Sequence, residues 1–259
     1  MVTSAAAALN ITRVRILGVP MDCVTMGEAV LIADEMVKAH RPGGIFAINP
    51  EKIVTAGTDP ALLNALDGAS LLIPDGVGAV VAARLGGVRN LHRVSGADLM
   101  PELCALAALR GYPVFVYGGR PEVTPRAVKA LREAYPRLQV AGYQHGYLMP
   151  GELASLPDKI NESGARILFV GLGSPQQELW IQAALPRLTT VAVCQGVGGT
   201  IDVLAGRAKR APLIWRRAYL EWLYRLLNDP SRIRRFPRLL NFMWRVWREG
   251  IVLGEPRRT

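Results

Sequence analysis

Short apolar runs alternate with longer helical stretches through most of this chain, and that alternation constrains the fold more than any other feature. Strand-like runs occur at 13–19 (RVRILGV), 44–48 (GIFAI), 70–73 (SLLI), 113–117 (PVFVY), 138–143 (LQVAGY), 166–171 (RILFVG) and 190–194 (TVAVC). Between them, helical patterns are predicted over 25–40, 50–57, 60–67, 76–85, 95–110, 121–134, 151–163 and 174–186, and over much of 211–249. Strands in alternation with helices predict an α/β fold: a Rossmann-like, largely parallel sheet covered by helices on both faces. The 259 residues suffice for one such domain plus an appendage. Residues 1–10 read as frayed.

Charge divides the chain. Residues 1–206 hold 17 Lys/Arg and 17 Asp/Glu, whereas residues 207–259 hold 14 against 4. Four of the five tryptophans, Trp215, Trp222, Trp244 and Trp247, also lie in that last stretch. The expected organisation is therefore an α/β domain at 1–206 and a basic, aromatic-rich helical appendage at 207–259. A neutral body with such a tail predicts an anionic partner, either a membrane surface or nucleic acid.

Within the tail, Leu213, Ile214, Tyr219, Leu220, Leu223, Tyr224 and Leu227 form a broad apolar stripe. Asp229 and Pro230 read as the N-cap and first residue of a new helix. Beyond them Phe236, Leu239, Leu240, Met243, Trp244 and Trp247 recur at intervals of three and four, interleaved with arginines. That is the composition of an amphipathic helix lying in a lipid interface, with Pro237 expected to kink or divide it. No apolar run reaches the roughly 20 residues that a spanning helix needs, and the N-terminal stretch lacks the basic leader of a signal peptide.

Cys23, Cys104 and Cys194 are far apart, odd in number and set in or beside apolar runs, which predicts reduced core thiols and a cytoplasmic protein. No Cys/His metal-ligand spacing, P-loop or GxSxG elbow is present, and no Asp-x-Asp pair of the kind that holds a metal on a sugar nucleotide's diphosphate.

Ligands of parallel sheets collect outside the carboxyl ends of the strands. There the sequence carries Asn49-Pro50, Pro74-Asp75-Gly76, Gly118-Gly119, Gly171-Leu172-Gly173 followed by SPQQE, and the loose glycine cluster GVGG at 196–199. Asp75 is the best single candidate for chemistry, although Pro-Asp-Gly is also a common turn and Asp a good helix cap. Asn49 can satisfy backbone groups at a strand end just as well as a ligand. Arg93 reads either as a solvated loop residue or as a guanidinium that neutralises a diphosphate through paired hydrogen bonds. Gly171 and Gly173 permit close backbone approach, and Pro175 sets φ near a helix start whose free N–H groups can hold an anion. Gln177 can reach a sugar or base, and Glu178 reads as a partner of the helix dipole.

In this order, NPEKIVTA (49–56), LLIPDGVGAVVAARLGG (71–87), RVSGADL (93–99), VFVYGG (114–119), YPRLQVAGYQHGY (135–147), GLGSPQQELWI (171–181), GVGGTIDVLAG (196–206) and RAPLIWRRAYLEWLYRLLNDPSRIRR (210–235) resemble the WecG/TagA/CpsF family of bacterial glycosyltransferases. The resemblance implies an inverting transfer of a hexose or N-acetylhexosamine from a UDP-sugar to a polyprenyl-diphosphate-linked sugar in cell-surface polysaccharide synthesis. It implies no metal and no cofactor, with Asp75 as the general base. It associates Asn49, Arg93 and Gln177 with the active site and brings Arg225, Arg232 and Arg235 of the tail to the acceptor diphosphate. With the glycines Gly118, Gly119, Gly171, Gly173 and Gly198, the first three make up the expected donor site. Many relatives carry Thr where this chain has Ala47, which leaves the identity of the sugar open. The expected location is the inner face of the bacterial plasma membrane, held there by the tail. The competing classes are a nucleic-acid binder using the basic aromatic tail and a nucleotide-cofactor oxidoreductase. The interleaved aliphatics weigh against the first, the missing GxGxxG after the first strand against the second. The oligomeric state stays open, a homo-oligomer included.

Overall fold

The computed structural model describes residues 11–89, 91–212, 214–215, 221, 223–224 and 236–249. Its centre is a six-stranded parallel sheet. The strands are β3 (Gly43–Ile48), β4 (Leu71–Pro74), β5 (Val114–Gly118), β6 (Val140–Gln144), β7 (Ile167–Gly171) and β8 (Val193–Gly196), in the spatial order β4-β3-β8-β7-β5-β6.

Side chains alternate across the sheet, as the two-residue period of a strand requires. Ile45, Val116, Phe169 and Val193 pack on one face beneath α1 (Met26–Lys38), α5 (Gly96–Arg110), α6 (Thr124–Ala134) and α9 (Thr200–Leu204). Phe46, Phe115, Leu168 and Cys194 pack on the other beneath α2 (Pro50–Ala56), α3 (Pro60–Asp67), α4 (Val77–Leu85), α7 (Pro150–Glu162) and α8 (Gln176–Ala184). Over β4, β3, β8, β7 and β5 both faces are covered and the strands read as near-continuous apolar runs, while the edge strand β6 is partly exposed.

Local signals set the helix limits. Thr25 and Glu28 form a reciprocal capping box at the start of α1. Asn49 and Asp59 cap α2 and α3, each followed by proline at the first helical position. α5 ends at Gly111, whose φ of +74° is left-handed.

The predicted strand at 13–19 is a correction. It is a hairpin of β1 (Arg13–Ile16) and β2 (Val19–Asp22) that stands apart from the parallel sheet. Leu17 and Gly18 have φ of +50° and +82°, the left-handed pair that a two-residue hairpin turn needs. Arg13 grips the buried Asp22 across the hairpin by two hydrogen bonds of 2.6 and 2.7 Å, and Asp22 accepts the N–H of Leu72 at 2.8 Å. The hairpin is thereby pinned against β4, an edge strand whose open side it covers. The helix α9 is an element that the sequence reading did not anticipate.

In the tail, α10 (Phe236–Glu249) packs on α2. Pro237 is its second residue, where a missing N–H breaks no helical bond. Phe242 is buried and Val246 packs beside it against the body. Leu240, Met243, Trp244 and Trp247 form a separate, exposed stripe, and Arg248 lies over the Trp244 ring at 4.5 Å. The helix therefore has one apolar face on the protein and another left open. Asp229, Pro230 and the arginines Arg225, Arg232 and Arg235 lie outside the described residues. Cys104 and Cys194 are buried and Cys23 half-buried, all three as free thiols.

Candidate active site

The carboxyl ends of the strands gather the candidate residues. The N–H groups of Asp75 and Gly76 both donate to the Ile48 carbonyl, at 3.0 and 3.1 Å, which folds the chain sharply after β4. Gly76, not Asp75, is the N-cap of α4. A Cβ at Gly76 would lie 2.9 Å from the Cα of Asn49, so only glycine permits this approach of the two loops. The Asp75 carboxylate is thus not used by its own helix. Its side chain is 23 % exposed at the mouth of the sheet.

Two residues, Arg93 and Gly96, fix that carboxylate. Arg93 Nη2 donates to Oδ1 at 2.9 Å, and Arg93 Nε donates to the Asp75 carbonyl at 2.5 Å. The N–H of Gly96, at the start of α5, approaches Oδ2 at 3.4 Å. Arg93 Nη2 also donates to Glu221 Oε2 at 3.2 Å. Burial works against the Arg93 charge, but the two carboxylates outweigh it and hold the guanidinium pKa above its ordinary value. Arg93 is therefore no solvated loop residue. Ala47 lies beside this cluster, since a Cβ on Gly96 would be 3.3 Å from that of Ala47 and 4.0 Å from Asp75 Oδ2.

Asn49 caps α2 through a 2.9 Å bond from the Lys52 N–H to its Oδ1, which bears out its structural reading. Gln177 is buried, and both ends of its amide are engaged by protein. Its Oε1 accepts the Gly198 N–H at 3.0 Å, and its Nε2 donates to Glu178 Oε1 at 2.8 Å. Glu178 lies in the first turn of α8, as its reading as a helix-dipole partner requires. Glu178 is fully buried in an ion pair with Lys52, Nζ to Oε1 at 2.7 Å. That pairing was invisible in the sequence, because 126 positions separate the two residues.

The glycines are steric requirements. Gly118 has φ of +117°, and a Cβ there would strike the backbone of Gly171 on the adjacent strand. Gly119, Gly173 and Gly198 also have positive φ. A Cβ on Gly171 would meet the Gly198 carbonyl at 2.9 Å. After β5 the chain turns toward β6 at one edge, and after β7 it turns toward β8 on the other side. The loops therefore diverge between Gly118 and Gly171, the kind of crevice in which open α/β sheets take ligands. From Asp75 the band runs through Gly96, Gly196, Gln177 and Gly198 to Gly171 and Gly118. A separate cleft of about 300 Å³, lined by Pro121, Thr124, Tyr143, Gln144, His145 and Lys159, opens over β6 and does not include Asp75. Among the described residues no group of three His, Cys, Asp or Glu is placed to hold a metal ion.

This band carries the segments whose order resembled a glycosyltransferase family. A model of the glycosyl transferase WecG/TagA/CpsF family matches residues 14–255. The chain belongs to that family. WecG/TagA/CpsF membership implies glycosyl transfer in cell-surface polysaccharide synthesis, with a sugar donor and an acceptor as substrates. No helix among the described residues is long and apolar enough to cross a membrane. Sequence reasoning missed Lys52 and Glu221 altogether. Their signal is chemical rather than periodic: a charged residue inside an otherwise apolar helical face needs a partner.

Proposed function

We propose that this WecG/TagA/CpsF member moves a hexose or N-acetylhexosamine from a UDP-sugar to a polyprenyl-diphosphate-linked sugar with inversion, Asp75 acting as general base. The carrying observation is the Asp75 carboxylate. It stands partly exposed at the open end of the sheet, oriented by Arg93 and Gly96 and not engaged in capping its own helix. In the proposed reaction Asp75 takes the proton of the acceptor hydroxyl as that oxygen attacks the anomeric carbon. The bond from the anomeric carbon to the diphosphate breaks on the opposite side, and UDP leaves with the electron pair. Its charge is met by backbone N–H groups of the glycine loops and by arginine, with no metal required.

The acceptor is lipid-borne, and the exposed stripe Leu240, Met243, Trp244 and Trp247 supports a reading of α10 as the element that rests on the inner face of the plasma membrane. Phe242 buried on the opposite side of the helix keeps that stripe on the flank of the domain that carries Asn49 and Gly78. Arg225, Arg232 and Arg235 are the proposed partners of the acceptor diphosphate.

The test offers UDP-glucose, UDP-galactose, UDP-N-acetylglucosamine and UDP-N-acetylmannosamine with a short-chain prenyl-diphosphate sugar, with and without chelator. One donor should be consumed with release of UDP, at a rate that chelator leaves unchanged. Absence of transfer from all four, or abolition by chelator, would overturn the donor class or the metal-free mechanism respectively.

A further inference from the structure

Three of the strand-end segments are joined by one buried polar chain. The Lys52 N–H donates to Asn49 Oδ1 after β3, and the Lys52 ammonium donates to Glu178 Oε1 at the start of α8, after β7. Gln177 Nε2 donates to the same Glu178 oxygen, and Gln177 Oε1 accepts the N–H of Gly198 after β8. Lys52 and Glu178 have side chains only 5 % and 0 % exposed. The strands β3, β8 and β7 that carry these segments are neighbours at the centre of the sheet.

Stability alone does not account for such a pair. A buried ion pair is often no better than neutral against apolar residues of the same volume, because desolvation cancels most of its attraction. Here the pair is also incompletely satisfied: Glu178 Oε2 has no hydrogen-bond partner among the described residues. What the pair does supply is direction. Glu178 Oε1 receives two donors, one from Lys52 and one from Gln177, and this fixes which end of the Gln177 amide faces Gly198. With its nitrogen held on Glu178, Gln177 must present its oxygen to the glycine loop. Gly196 leaves room for that amide, since a Cβ there would come within 2.8 Å of Gln177 Nε2.

We infer that Lys52 and Glu178 are positioning residues of the donor site: their ion pair orients Gln177, and through it sets the GVGG loop at 196–199 against Gly171, where the diphosphate of a sugar nucleotide is received. The inference deepens the proposed function and rests on it for the identity of the ligand. The orientation of Gly198 does not depend on that identity, and the test separates the two.

Lys52→Met/Glu178→Leu replaces the pair by apolar groups of similar size. Its thermal midpoint should match or exceed that of the wild type. The Gly198 amide should exchange its hydrogen at least about tenfold faster, and the Kd for UDP, measured by calorimetry, should rise at least about tenfold. Gln177→Met removes the Gly198 acceptor while leaving the ion pair, and should weaken UDP to a similar degree even if the double variant fails to fold. Glu178→Gln keeps an oxygen acceptor for both donors and should hold Gly198 exchange near the wild-type rate. A stable double variant with wild-type exchange at Gly198, or wild-type UDP affinity in Gln177→Met, overturns the inference. If the wild type itself does not bind UDP, the reading of the ligand fails, while Gly198 exchange still decides whether the pair positions the loop.

Discussion

Arg93 and Glu221 meet at 3.2 Å although 128 positions separate them, and the same Arg93 nitrogen lies 2.9 Å from Asp75. One guanidinium thus serves a carboxylate of the C-terminal segment and the carboxylate proposed as base. Glu221 is buried, so the shared cation works where water screens little. Removing the Glu221 charge takes away the contact that holds the Arg93 guanidinium from its far side, so the group that orients the Asp75 carboxylate is less firmly placed. Glu221→Gln should therefore lower kcat by about tenfold, the loss of roughly one charge-assisted hydrogen bond, with KM for the sugar nucleotide unchanged. Steady-state kinetics at saturating acceptor measure this. An unchanged kcat would show that Asp75 is held by Arg93 and Gly96 alone.

Asp75→Asn keeps the size of the side chain and its contact with Gly96 but removes the proton acceptor. General-base help is typically worth about 10²–10⁴ in rate. The variant should unfold at a temperature within a few degrees of the wild type, bind UDP normally and lose turnover by about that factor. Wild-type turnover would remove Asp75 from the chemistry, whatever its position.

The thiols give a pH prediction. Burial pushes Cys104 and Cys194 up to about 12, and burial with the neighbouring Asp22 pushes Cys23 up to about 11. A raised pKa disfavours the thiolate, the reactive form, throughout the neutral range. At pH 8 Cys104 and Cys194 should resist a disulfide reagent in the native protein and react fully in denaturant, with half-exposed Cys23 modified first. Rapid labelling of all three without denaturant would contradict the packing described for β8 and α5.

How much of this was legible varied with the range of the interaction. α3 matches its predicted limits because Asp59, Pro60 and Gly68 are local stop and start signals. The strand ends and their glycines were legible too, since apolar runs closed by Gly-Gly or Gly-x-Gly need no partner to be recognised. The hairpin was missed because Leu17-Gly18 is a weak turn signal beside Asn-Gly or Asp-Gly. Glu178 looked like any acid in a first helical turn, and only its partner Lys52, far away in sequence, marks it as buried. In α10 the apolar periodicity was legible, but not which apolar residues face the body. Phe242 was passed over, and among the described side chains of the helix it is the most deeply buried.

That division of faces in α10 makes the membrane reading testable without disturbing the fold. Trp244 and Trp247 are 51 % and 82 % exposed, so replacing both by alanine opens no cavity. Phe242 is 2 % exposed, and Phe242→Ala should cost about 3–5 kcal/mol in the docking of the helix. Apolar area entering a lipid interface contributes about 25 cal/mol per Å², and two tryptophans offer enough for more than tenfold in partitioning. In a vesicle sedimentation assay with anionic lipid, Trp244→Ala/Trp247→Ala should bind at least about tenfold more weakly, at an unchanged thermal midpoint. Its turnover on a water-soluble acceptor should stay at the wild-type level, while turnover on a vesicle-borne acceptor falls with binding. Equal vesicle binding by this variant and the wild type would mean that the open stripe of α10 meets something other than lipid.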